Sequence, residues 1–160
     1  MAGDTQTTWG HNKIPKVEHN DNSLKSSGKI FQVNGMTFGC AGNVAHIGML
    51  QIFCKTTKPK EMTRDAILEW LVAYKQYVCD KAKVSFNDVS VHGIIASKGK
   101  AFVFYDFMNV EPVNRFAAVG SGMFLAMGAM ECGASVTEAV KVAIKYDLYC
   151  GGSVKKVVIK

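Results

Sequence analysis

At 160 residues, with 48% apolar and 20% charged side chains, the chain is composed as one globular domain over residues 1–160, able to bury roughly 70% of its unfolded surface, which excludes intrinsic disorder. The net charge is +6, but lysines are scattered from Lys13 to Lys160, so a solvated basic surface is expected rather than a nucleic-acid interface. No apolar run approaches the roughly 20 residues of a membrane span and the first residues lack a secretory signal, so a cytoplasmic protein without membrane contact is expected.

Taken in chain order, "AGDTQTTW" reads as a short strand, rich in β-branched residues. His11 to Ser27 is polar and holds Pro15 and an Asn/Asp cluster, which predicts a long loop with a brief extended piece around Ile14 to Val17. "KIFQVNGMTFGCAG" predicts two strands about Asn34-Gly35, the strongest hairpin signal present. Gly42-Asn43 can start a helix that places Val44, Ile47 and Ile52 at helical spacing, and "KTTKPK" breaks it. "EMTRDAILEWLVAYKQYVCD" is a second amphipathic helix, with Ile67, Leu68, Leu71, Tyr74 and Val78 as its buried face.

"SVHGIIAS" and "KAFVFYDF" predict two strands joined at Lys98-Gly99, and after Pro112 "FAAVGSG" leads from a strand into a third helix, "MFLAMGAMEC". Gly133 ends that helix, Ser135 and Glu138 have capping-box spacing, "AVKVAIKYDLY" is the fourth helix, and "SVKKVVIK" is a closing strand. Paired strands alternating with paired helices imply an α+β fold of antiparallel sheets with helices on their outer faces.

Five cysteines, with no C-x-x-C pair and mostly apolar neighbours, predict buried free thiols. "SSGKI" fails as a phosphate loop, because Ser23 stands where glycine is needed and Ile30 where Ser or Thr would hold a metal. "VGSGMFLAMGAM" lacks dinucleotide-loop spacing, and the four histidines fall in no metal motif, so no metal or cofactor is expected; His46 reads as a satisfied core or surface residue.

Four positions are left without a patterning reason: Asp4 in the first strand, Lys29 opening the hairpin, Ser121 at a strand-to-helix corner, and Asp147 at a helix C-terminus, where its charge opposes the dipole. Together with their glycines they resemble the proteasome-type N-terminal nucleophile (Ntn) hydrolases, including the bacterial proteasome-like peptidase and its small bacterial and phage relatives. "AGDTQTTWG" is similar to that family's D-[S/G]-[R/Q]-x-T-x-G segment, which puts Asp4 on its aspartate and Thr8 on its substrate-contacting threonine. "GKIFQVNGMTFGCAGN" resembles the strand pair with the active-site lysine and the oxyanion-hole glycine, here Lys29 and Gly42. "AVGSG" supplies the corner serine, Ser121, and "YDLYCGG" resembles D-x-Y-S-G-G, with Asp147 on the aspartate, Cys150 where serine is usual, and Gly151 beside it.

The resemblance implies a four-layer α-β-β-α sandwich of two antiparallel sheets flanked by helix pairs, lacking the family's first strand. It implies threonine-type peptide hydrolysis, with Asp4, Lys29, Ser121 and Asp147 supporting the nucleophile, Gly42 at the oxyanion, and Thr8, Cys150 and Gly151 against substrate. No cofactor is implied; homo-oligomeric rings, a peptide substrate and an ATP-dependent unfoldase are. The family's nucleophile heads the strand upstream of the aspartate, where this sequence has only Met1, Ala2 and Gly3, and Thr5, Thr7 and Thr8 all follow Asp4. Two readings follow: a threonine-type peptidase whose amino-terminal strand is missing from the sequence as written, and so inert as it stands, or a catalytically silent structural or assembly subunit of such a ring; a basic nucleic-acid binder, resting on charge alone, is the third.

Overall fold

The computed structural model describes residues 1–4, 28–106 and 108–159, and the backbone alone of 7–9 and 12–14. In chain order the elements are β1 (Ala2–Gly3), β2 (Thr7–Trp9), β3 (Asn12–Ile14), β4 (Ile30–Val33), β5 (Met36–Gly42), α1 (Val44–Thr56), α2 (Arg64–Ala82), β6 (Val91–Ser97), β7 (Lys100–Phe104), β8 (Val110–Pro112), α3 (Met123–Glu131), α4 (Val136–Tyr146) and β9 (Lys155–Lys156). Strands β4 to β8 form a five-stranded antiparallel sheet in sequence order, while β1 pairs with β9 and β2 with β3, both antiparallel. The fold is α+β, as the alternation of paired strands and paired helices implies.

Local chemistry sets the turns. Asn34 and Gly35 have φ of 50° and 75°, as do Lys98 and Gly99, so both hairpins close through two residues in the left-handed region, matching strand twist. The Asn34 amide then donates to the carbonyls of Cys54 (2.6 Å) and Lys55 (3.1 Å), capping the C-terminal end of α1. Ser135 and Glu138 form the expected reciprocal capping box at the start of α4.

The pleat of the five-stranded sheet sorts its side chains into two unlike faces. Phe31, Met36, Phe38, Ile95, Phe102 and Phe104 point to one side, where Leu50 and Cys54 of α1 and Ile67, Leu71, Tyr74 and Val78 of α2 complete the main core. Phe31 and Phe38 stack there with centroids 4.8 Å apart. The alternate positions Gly39, Ala41, Ile94, Ala96 and Ala101 face the other side, toward β1, α3 and α4. Gly3 of β1 lies over Ile30, and β1 in turn packs against α4, giving the four-layer order α1–α2, sheet, β1–β9, α3–α4. Met1 extends the β1–β9 ladder, its N donating to the Val157 carbonyl and its carbonyl accepting from Val157 N, each at 2.8 Å.

Four expectations are corrected. The first strand is two pieces, β1 and β2, in different pairings, and of Ile14 to Val17 only Ile14 falls within the described residues. The apolar stripe expected on α1 is displaced: Val44 and Ile52 are 59% and 55% exposed, and the buried residues are His46, Ile47, Leu50 and Cys54. This helix is apolar on several sides, so the face is chosen by the aromatics of β4 and β5 rather than by α1 itself. Phe116 to Gly120 is not a strand; β8 lies earlier and ends at Pro112, whose missing N–H suits a strand terminus. The closing strand shortens to Lys155–Lys156. All five thiols are free, with Cys40 and Cys54 buried.

Candidate active site

Lys29 stands just before β4, where its carbonyl accepts from Cys40 N at 2.7 Å and so fixes the backbone at the sheet edge. From there its ammonium donates to Asp4 Oδ1 at 2.7 Å, with 29% of the Lys29 side chain and 9% of the Asp4 side chain exposed. The second carboxylate oxygen of Asp4 accepts from Gly151 N at 2.9 Å. A carboxylate so shielded, held by one cation and one backbone N–H, is firmly placed, and it holds the ammonium in turn.

A second cluster forms where α4 ends. Ser121 Oγ donates to Asp147 Oδ1 at 2.9 Å, Tyr149 N donates to the same oxygen at 2.8 Å, and Cys150 Sγ lies 3.8 Å from Ser121 Oγ. Burial pushes the Asp147 carboxyl up, but the bonds from Ser121, Tyr149 N and Cys150 outweigh it and hold the group below the usual carboxylate range. Asp147 is the C-cap of α4, so these bonds also offset its unfavourable place at the negative end of the helix. The Cys150 thiol moves the other way: burial raises it, and the Asp4 and Asp147 charges add to that, against the hydrogen-bond contact with Ser121. Gly122 is needed here, since a Cβ at that position would lie 2.7 Å from Cys150 Sγ and from Ala143 Cβ.

The clusters open on one cavity of about 270 Å³, walled by Asp4, Lys29, Ser121 and Cys150 and by Met1, Gly39, Ala41 and the small residues before α3. Ala41 lines it while Gly42 stands one residue beyond, with φ of 119° and its Cα so close to Ser90 that a Cβ would lie 2.7 Å from the Ser90 carbonyl oxygen. Asp147 and Gly151 sit behind the wall, through Ser121 and Cys150 respectively. Thr8 lies in β2, and its side chain is outside the described residues. Asp4 therefore meets the Lys29 ammonium, as the resemblance implies, whereas Asp147 is bound by Ser121.

Sequence reasoning missed two contributors. The Met1 side chain lies in the cavity over Gly39, where a Cβ would come within 2.7 Å of its sulfur, and the N–H of Gly151 serves Asp4. Neither leaves a sequence signal, because the first is a packing contact and the second uses backbone. Among the described residues no three His, Cys, Asp or Glu side chains gather as metal ligands would, and no helix is long and apolar enough to cross a membrane.

No protein-family model matches the sequence, and no curated protein matches it. Solved structures do match. Over 96% of the chain, the fold superimposes on 88% of BPH from Thiobacillus denitrificans in complex with epoxomicin, at TM-score 0.79 and 21% identity. It superimposes over the same 96% on 88% of HslV from Trypanosoma brucei (TM-score 0.60, 17% identity) and on 73% of Anbu, an ancestral β-subunit, from Yersinia bercovieri (TM-score 0.65, 12% identity). At such identities the likeness is one of fold, and that fold is the proteasome-type Ntn-hydrolase fold.

Proposed function

We propose, from the proteasome-type fold, that this chain carries the supporting half of a threonine-type peptidase site. The observation that carries the reading is the Lys29–Asp4 pair, 2.7 Å apart, opening on a cavity large enough for peptide backbone. In such chemistry a hydroxyl at the head of a strand adds to the peptide carbonyl. Its own α-amino group, titrating near ~8, takes the proton and passes it to the leaving amine; water then releases the acyl group. Lys29 would lower the hydroxyl's pKa and Asp4 would hold Lys29. Ser121 and Asp147 would bind the terminal amine, and a backbone N–H at Gly42 would meet the oxyanion. Thr8 and Cys150 would border the substrate, with Gly151 behind Cys150 holding Asp4 in place.

Ser121 is committed to Asp147, and residues 1–3 are Met, Ala and Gly, so the groups seen around the cavity are supporting ones. Absence of a nucleophile typically costs about a millionfold in rate. The test is peptide hydrolysis by the chain as given, by the chain preceded by a strand of about six residues headed by threonine, and by that longer form with Lys29→Ala. The chain as given should be inert, the threonine-headed form should cleave and should bind epoxomicin, as the Thiobacillus protein does, and Lys29→Ala should remove most of the activity. Equal cleavage with and without Lys29 would refute the assignment.

The second reading is a silent subunit that joins a proteasome-like ring and meets an ATP-dependent unfoldase. Its support is the exposed apolar side chains on the α3–α4 side, Phe124 of α3 at 78% and Leu148, just after α4, at 86%. Sedimentation showing only a monomer would remove it. A cytoplasmic setting fits both readings, given the free thiols.

A further inference from the structure

Behind the Gly42–Asn43 turn lies a closed circuit of hydrogen bonds that no step above uses. His46 N donates to Asn43 Oδ1 (3.4 Å), Asn43 N donates to the Ser90 carbonyl (3.0 Å), and Ser90 N donates to His46 Nδ1 (3.1 Å). Each donor serves the next residue, and the third bond returns to the first. Ser90 has all its polar groups engaged, because its Oγ also donates to Asp106 Oδ2 at 3.1 Å. The surroundings brace the circuit from α2. The Tyr74 hydroxyl of α2 donates to the His46 carbonyl at 2.7 Å, and the buried Lys75 ammonium donates to the Asp106 carbonyl at 2.8 Å while lying 4.6 Å from the Phe86 ring centre. His92, across the ladder from Ala41, faces Asp106; burial holds its imidazole below the ordinary range, the Asp106 charge opposing.

The direction of one bond fixes a protonation state. A backbone N–H can only donate, so Nδ1 of His46 must be the bare nitrogen and the ring proton must sit on Nε2. His46 is 7% exposed, so water does not replace that acceptor. We propose that His46, as the Nε2-protonated neutral imidazole, is the positioning residue that locks the Gly42–Asn43 turn against Ser90. It acts through Ser90 and Asn43 and touches no reacting atom. The inference rests on the reading of Gly42 as the oxyanion donor for its catalytic meaning, because a backbone donor is useful only when it is aimed before the reaction begins. Gly42 cannot drift toward Ser90, given the close approach of their backbones, and the circuit keeps it from drifting away.

The test reads the turn and not the reaction, so it can fail while the peptidase reading stands, and the reverse. Nitrogen NMR of the unaltered chain at neutral pH should show His46 Nδ1 unprotonated and Nε2 protonated; a proton on Nδ1 overturns the proposal, and this measurement needs no variant to fold. Two substitutions then separate acceptor from bulk. His46→Asn keeps an oxygen where Nδ1 stands but loses the ring, and His46→Phe keeps a ring but loses the acceptor. Amide exchange at Asn43 should stay near the parent rate in His46→Asn and rise about tenfold in His46→Phe, the amount one hydrogen bond is worth. If both variants exchange alike, or if His46→Asn is the faster, ring packing holds the turn and the proposal is wrong.

Discussion

The two faces of the five-stranded sheet are made from the same strands and differ in almost everything else. Toward α1 and α2 the strands present Phe31, Phe38, Phe102 and Phe104, all buried and in ring contact or apolar contact with their neighbours. Toward β1, α3 and α4 they present Gly39, Ala41, Ala96 and Ala101, and the space those small residues leave is the cavity beside Lys29. The first face fills its volume and stabilises the fold. The second leaves a slot, and along it lie two carboxylates, an ammonium and a thiol. A sheet whose pleat alternates large with small side chains can therefore carry a packed core and a polar-lined cavity on opposite sides without conflict.

The sharpest way to break this contrast is to remove bulk from the dense face. Phe38→Ala, which deletes a fully buried ring stacked on Phe31 and tilted against Trp70, should cost about 4 kcal/mol, read by chemical denaturation. The mirror experiment adds bulk to the other face: Ala96→Leu should change stability by less than about 1 kcal/mol because the slot receives the new atoms, and a loss like that of Phe38→Ala would show the slot to be tightly filled. Lys29→Met lies between them. It leaves the shielded Asp4 carboxylate with Gly151 N alone and should cost about 2 kcal/mol, a lower figure than for a fully buried pair because Lys29 is partly exposed.

The smallest effect is on reactivity. The thiolate is the reacting form, and burial pushes Cys40 and Cys54 far above the ordinary thiol range, while burial and the two nearby carboxylates raise Cys150. Iodoacetamide followed by mass spectrometry should therefore label exposed Cys132 first and Cys150 later, reaching Cys40 and Cys54 only on unfolding. Early labelling of Cys40 or Cys54 in the native chain would contradict the dense packing assigned to that side.

The parts of this fold legible in the sequence are those governed by near neighbours. Asn34-Gly35, Lys98-Gly99 and the Ser135–Glu138 box each act within four residues, and each is where it was expected. What distance decides was hidden. Lys75 of α2, absent from the buried face expected for that helix, is 6% exposed because its partners are the carbonyl of Asp106 and the ring of Phe86 outside the helix. Val44 and Ile52 of α1 read as core because nothing in a helix apolar on several sides says which side the sheet will take. The candidate site behaves likewise: Asp4 and Lys29 are 25 residues apart, and only the resemblance of their motifs to a known family linked them before the structure did.

The bond from Gly151 to Asp4 joins residues 147 apart in sequence, and β1 is held by β9. Closing such a wide loop is slow, and a chain leaving the ribosome folds from its first residues onward. The Asp4 carboxylate that holds the Lys29 ammonium thus lacks its Gly151 anchor until the segment around residue 151 has docked. That anchor is among the last contacts of the fold to form, however early the hairpin beside it closes.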